Sequence, residues 1–149
     1  MPLHKEYQVK HALAAAVVYT AFVLGSCGDI MPMSDADALY HDLTIDFRDM
    51  SDYIDKPLYA RVVHIAENRE IERSDKSALP GATYQISFGS ILEDGESYRI
   101  ELFVDQNANN RYDAAIDHSW EVILADVADN QTVSFSPVGE TRKTITWPV

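Results

Sequence analysis

Between residues 43 and 63 apolar and polar side chains alternate in short runs. Leu43, Ile45 and Phe47 alternate with Thr44 and Asp46, and Tyr59, Arg61 and Val63 alternate with Leu58, Ala60 and Val62. Tyr84, Ile86 and Phe88 repeat the pattern against Gln85 and Ser87. Successive side chains of an extended chain point to opposite faces, so a period of two reads as a strand with one face turned to a core. Tyr98, Ile100, Leu102 and Val104 share one face, as do Trp120, Val122 and Leu124, while Val133 with Phe135 and Ile145 with Trp147 make two shorter runs. Glu70 to Arg73, after a turn at Glu67 and Asn68, reads as a weaker edge strand. Beyond the opening segment, helical spacing is confined to a trace at Asp35 to His41. Seven or eight short strands separated by turn residues predict an all-β chain folded as a single antiparallel β-sandwich.

A chain of 149 residues has room for one domain with a real core. Residues 1–26 read differently from the rest. Lys5 and Lys10 precede the uncharged, mostly apolar run Ala12 to Leu24, which is shorter than the roughly 20 residues needed to span a bilayer. A charged start, a short apolar stretch and small residues after it have the form of a secretory signal peptide. The run ends in Leu24-Gly25-Ser26-Cys27, and Cys27 is the only cysteine. One cysteine makes no internal disulfide, so a dedicated chemical use is expected of it. The four residues resemble the lipobox of bacterial lipoproteins, in which the cysteine is lipidated and becomes the new N-terminus. That resemblance implies a signal peptide at 1–26, lipidation at Cys27, a tether at 27–38 and a β-sandwich domain at 39–149. It also implies a cell-envelope location, with the outer membrane expected and the face it turns to left open.

Charge narrows the partners. The whole chain carries a formal charge of −12, and removing 1–26 makes the remainder one unit more negative. Such a chain repels phosphate backbones, so no nucleic-acid partner is expected, and cationic ligands including divalent metals become the natural complement. The same acidity also serves to keep a surface domain soluble.

The stretch Phe103 to Asp113 (FVDQNANNRYD) carries the clearest candidate chemistry. Counting Asp105 as position 1 places Asn107 at 3, Asn109 at 5, the Arg111 carbonyl at 7 and Asp113 at 9, the opening of an EF-hand-like calcium loop. Asn110 stands where glycine is usual, and asparagine tolerates the left-handed conformation needed there. Position 12 is Ile116 instead of a bidentate glutamate, neither flank reads as a helix, and Asp117 is the nearest replacement carboxylate. The stretch resembles the DxNxNxxxD calcium loops between strands of bacterial surface β-sandwich modules, similar to the B-repeats of Gram-positive adhesins. With Asp117-His118-Ser119-Trp120 it also resembles secreted bacterial Ig-like domains. The resemblance implies an Ig-like or transthyretin-like sandwich, a structural Ca2+, side-chain ligands at Asp105, Asn107, Asn109 and Asp113, a carbonyl ligand at Arg111, and a weaker role for Asp117. The same residues also suit plain Asx-turns, with the Arg111 guanidinium neutralising the carboxylates.

Leu92, Gly95 and Tyr98 match a tyrosine corner, with a backbone partner expected near Asp94. His41, His64 and His118 fall in separate segments without metal-ligand spacing, and no nucleophile motif is present. The expected function is therefore a membrane-anchored, non-catalytic module meeting an envelope protein or surface polymer. The alternative is a periplasmic transition-metal or redox accessory protein using those histidines with Met31 and Met33. Paired carboxylates in a pocket would be needed for a hydrolase.

Overall fold

The alternating runs become strands because each has one apolar face to bury. The computed structural model describes residues 39–76 and 78–148. The signal segment, Cys27, the tether with Met31 and Met33, and Asp35 to Ala38 lie outside them. Seven strands form: β1 (Tyr40–Phe47), β2 (Leu58–His64), β3 (Arg69–Lys76), β4 (Tyr84–Glu93), β5 (Tyr98–Val104), β6 (His118–Leu124) and β7 (Gln131–Phe135). A single 3-10 turn, Ser51–Tyr53, is the only helical element among the described residues. Tyr40 and His41, where the sequence suggested helical spacing, open β1 instead. Glu70 to Arg73 lies in β3, an edge strand as expected.

Two sheets face each other, one ordered β4-β1-β7 and the other β3-β2-β5-β6, which makes the domain an all-β sandwich. Leu43, Ile45 and Phe47 of β1 meet Leu58, Ile100 and Leu102 from the opposite sheet, all buried in one cluster. Two expectations need correction. The sandwich is not wholly antiparallel, since β7 runs parallel to β1 from Leu43 opposite Gln131 to Phe47 opposite Phe135. β7 enters from β6 in the other sheet, so no hairpin sets its direction relative to β1. Ile145 and Trp147 form no strand either. Residues 143–147 cross the outer face of the four-stranded sheet as an irregular strap. Ile145 is buried, and Trp147 stands edge-on to Phe103 with centroids 4.8 Å apart. The strap's backbone groups bond largely to side chains instead of a ladder, including the Arg61 guanidinium, which donates to the Thr146 carbonyl.

The strap explains why β5 is buried on both sides. Tyr98, Ile100, Leu102 and Val104 point into the core, while Glu101 and Phe103 on the outward side are also buried. At the start of β5, the Glu93 amide donates to the Tyr98 phenol oxygen at 2.7 Å. The tyrosine thus closes back on the backbone, at Glu93 one residue before the expected place, and as acceptor. Gly95, between them, takes φ +78°, which only glycine adopts freely.

Tyr98→Phe leaves the Glu93 amide without its acceptor, and the expected cost is about 1–3 kcal/mol of folding stability. Urea denaturation of the two proteins measures it, and an unchanged midpoint would show that the bond contributes nothing.

Candidate metal centre

β5 delivers the chain to the loop with a buried carboxylate at its head. Asp105 is fully buried, its amide donating to the Pro57 carbonyl at 3.0 Å. Its Oδ1 accepts the Asn107 amide at 3.2 Å and its Oδ2 the Asn110 amide at 2.7 Å. Asn107 Oδ1 accepts the Asn109 amide at 3.1 Å, and Asn109 Oδ1 accepts the Arg111 amide at 2.8 Å. Three successive Asx-turns therefore wind the chain, because each short side chain reaches the amide two residues on. Ala108 and Asn110 take φ values of 55° and 60°. Asparagine accepts that region readily; Ala108 is held there at some cost by the Asx bonds on either side.

The second half departs from the calcium-loop count. Asp113 Oδ1 caps the Ala115 amide at 3.0 Å, and its carbonyl accepts the amides of Ile116 and Asp117 at 3.0 and 2.8 Å. Asp117 is buried, with Oδ1 on the Gln106 amide at 2.9 Å and Oδ2 on the Asp113 amide at 2.7 Å. It clasps the loop's two ends together. Among the described residues no three His, Cys, Asp or Glu side chains converge on one point, so Asp105, Asp113 and Asp117 form no carboxylate cage.

The donor chemistry of the first half still suits a hard cation. Asp105, Asn107 and Asn109 present side-chain oxygens at alternate positions, and an oxygen that accepts one amide keeps a second lone pair. Asp105 is held by backbone amides, and among the described residues no ion pair joins Arg111 to Asp105, Asp113 or Asp117. The Tyr59 phenol donates to Asn110 Oδ1 at 3.0 Å, and burial first, then the charges of Asp105, Asp75 and Asp117, push its pKa above the ordinary tyrosine value.

The histidines are kept apart. His41 Nε2 faces Asp94 Oδ1 at 3.0 Å. His64 Nδ1 accepts the Glu67 amide at 3.3 Å, which leaves Nε2–H to donate to Glu96 at 3.0 Å. His118 Nδ1 lies 2.9 Å from the Tyr53 hydroxyl, its ring edge-on to that tyrosine. His118 adjoins the Asp117 clasp in sequence and is half-buried, edge-on to Tyr53 and Trp120. Sequence reasoning passed over Tyr59, Tyr112 and Ser119, which tie the loop to the rest of the sheet. Tyr112 offered only its place within the loop as a signal, Ser119 only its place beside Asp117 and His118, and Tyr59 none.

No known family, curated protein or solved structure matches the chain. What the fold and the loop define is a class: an all-β sandwich domain with an Asx-wound, carboxylate-headed loop between two strands of one sheet.

Asp117→Asn can satisfy only one of the two amides and loses the charge that strengthens both bonds. The expected loss is about 1.5–3 kcal/mol, read by urea denaturation. A second expectation concerns pH. Burial first, then Arg142, hold the His118 pKa below the ordinary histidine value, with Asp117 acting in the opposite sense. Between that lowered value and the ordinary value of about 6.5, the unfolded chain binds more protons than the folded one, so stability falls as the solution is acidified through this window. The urea midpoint should drop on acidification, and His118→Gln should remove that component; an identical pH profile in the variant would count against it.

Proposed function

We propose that the protein is a lipid-anchored, non-catalytic module of the bacterial cell envelope. Its sandwich domain holds a structural Ca2+ in the loop at 105–117 and meets an envelope protein or surface polymer. The observation that carries the calcium reading is Asp105: a fully buried carboxylate at the head of an Asx-wound loop, with no arginine paired to it. Asp105, Asn107 and Asn109 would supply side-chain oxygens, the Arg111 carbonyl a further one, and Asp113 a ligand after a turn of its side chain. Asp117 serves as the clasp that brings the two ends of the loop together. A divalent ion would neutralise the loop's negative charge and hold its turns. Support for the anchor comes from Leu24-Gly25-Ser26-Cys27, with its single cysteine following the apolar run. Several acyl chains, each worth about 0.8 kcal/mol per buried CH2, would hold the domain on a membrane. Arg61 bonds both to the buried Glu101 and to the strap, which supports a structural use for this buried charged pair.

At Ca2+ concentrations 100 times Kd the folded state should gain about 2.7 kcal/mol, raising the melting temperature by roughly 10 °C. Affinity in the range of about 10⁻⁴ to 10⁻³ M is typical of extracellular modules. Thermal melts in Ca2+ and in EDTA check this. Asp105→Ala should abolish the shift, and superimposable wild-type curves would rule the ion out. For the anchor, the wild-type protein should partition with membranes and Cys27→Ser with the aqueous phase after cell fractionation.

A further inference from the structure

We infer that the loop at 105–117 is a latch for the strap at 143–147, so that winding of the loop decides whether the outer face of the four-stranded sheet is covered. The strap's attachment is unusual for an element lying on a sheet. Among the described residues one backbone bond joins it to a strand, from the Lys143 amide to the Ser119 carbonyl at 2.8 Å. The rest of its seat is made by side chains, and two of these are set by the loop.

Tyr112, inside the loop, is the first. The Ile145 amide donates to its phenol oxygen at 3.3 Å, the phenol donates to Ser119 Oγ at 2.9 Å, and the Ser119 hydroxyl donates to the Lys143 carbonyl. Strap, loop and β6 thus form one hydrogen-bonded relay in which each hydroxyl both donates and accepts, an arrangement whose bonds reinforce one another. Tyr59 is the second. Its hydroxyl is fixed by Asn110, its ring lies flat on Phe103 at 4.5 Å, and Trp147 stands edge-on to both rings, 4.8 Å from Phe103 and 6.3 Å from Tyr59. Unwinding the loop removes Asn110 from Tyr59 and Tyr112 from Ile145 together.

What the strap covers is chemically distinct. The Trp147 ring lies 5.0 Å from the Arg61 guanidinium and 5.5 Å from that of Arg73. A cleft of about 410 Å3 runs between the strap and the sheet, lined in part by Arg61, Glu70, Arg99, Glu101 and Glu121. With the strap seated, this arginine and aromatic surface is occupied by the chain's own tryptophan; with it lifted, Tyr59, Phe103 and two guanidinium groups face solvent. A strap with few backbone ties and a loop with strained turns are the parts of a two-state element. If Ca2+ favours the wound loop it also favours the seated strap, and by linkage the seated strap raises affinity for the ion. That ionic control rests on the calcium reading; the latch itself does not.

Hydrogen exchange on the full-length protein in detergent, with segments resolved by mass spectrometry, tests both. Three variants loosen the latch. Tyr112→Phe keeps the ring and deletes the relay. Asn110→Gly keeps the left-handed turn and deletes the Tyr59 acceptor. Asp117→Asn opens the clasp. Amides at 143–147 should exchange roughly tenfold faster in Tyr112→Phe and Asn110→Gly, with β5 amides as slow as in the wild type; in Asp117→Asn, which lowers global stability, they should speed up more than the β5 amides do. If loop amides at 107–111 speed up in Asp117→Asn while the strap keeps wild-type protection in all three, the latch is overturned. Adding Ca2+ in place of EDTA should slow exchange in both loop and strap of the wild type, and should slow the strap of Tyr112→Phe less, since only the Tyr59 link remains there. Ca2+ that slows the wild-type loop but not its strap also overturns the latch. Ca2+ that slows neither sinks the calcium reading and leaves the three variants to decide the latch.

Discussion

The structure turns on a carboxylate buried in the middle of its most enclosed strand. Glu101 lies at the centre of β5, on the outer side of the sheet, and is only 2% exposed. A charged carboxylate out of water is costly unless paired and hydrogen-bonded. Both oxygens find arginines: Arg61 Nε donates to one and Arg99 Nε to the other, each at 2.7 Å. Antiparallel register puts Arg61 directly opposite Glu101, with Arg73 beyond Arg61 on one side and Glu121 beyond Glu101 on the other. Two like-charged pairs, Arg73 with Arg61 and Glu101 with Glu121, thus sit in one cross-strand row, which is destabilising unless something intervenes. Glu70 intervenes between the arginines, accepting from Arg73 and Arg61, and Arg99 lies between the glutamates.

The strap completes this arrangement. Without it, Arg61 would lack the Thr146 carbonyl and the Trp147 face, and Phe103 would present a large apolar ring to water. The same few residues therefore give the outer face its charge balance, its cover and its attachment to the loop. Tyr59, Phe103 and Ser119 form the next cross-strand row toward the loop, and Tyr112 packs edge-on to Phe103. The end of β5 is where sheet, strap and loop share side chains, so the loop's position follows from the strand's double burial.

Much of the fold was legible because burial imposes a period. Leu43, Ile45 and Phe47 could be assigned to one face of a strand from their spacing, and even the weak β3 was marked by its turn. Ile145 and Trp147 showed the same spacing and were misread, because a period of two says that alternate side chains are buried without saying that backbone groups pair in a ladder. The parallel pairing of β7 was equally hidden, since strand direction depends on which sheet the chain crosses from. In the loop, the alternation of Asp and Asn announced the Asx-turns and the left-handed Asn110. It did not announce that Asp117 would grip Gln106 and Asp113, because that depends on how the loop closes.

By itself, the sequence determined the class of fold, the turns of the loop and the acidic character of the chain, since these depend on local periodicity, short-range side-chain bonds and composition. Tertiary structure alone decided that Tyr59 and Tyr112 join the loop to the strap, that Glu101 is gripped by Arg61 and Arg99, and that the histidines remain apart. Those outcomes depend on register and on contacts between residues tens of positions apart, and no local pattern encodes which distant groups will be brought within a few ångströms.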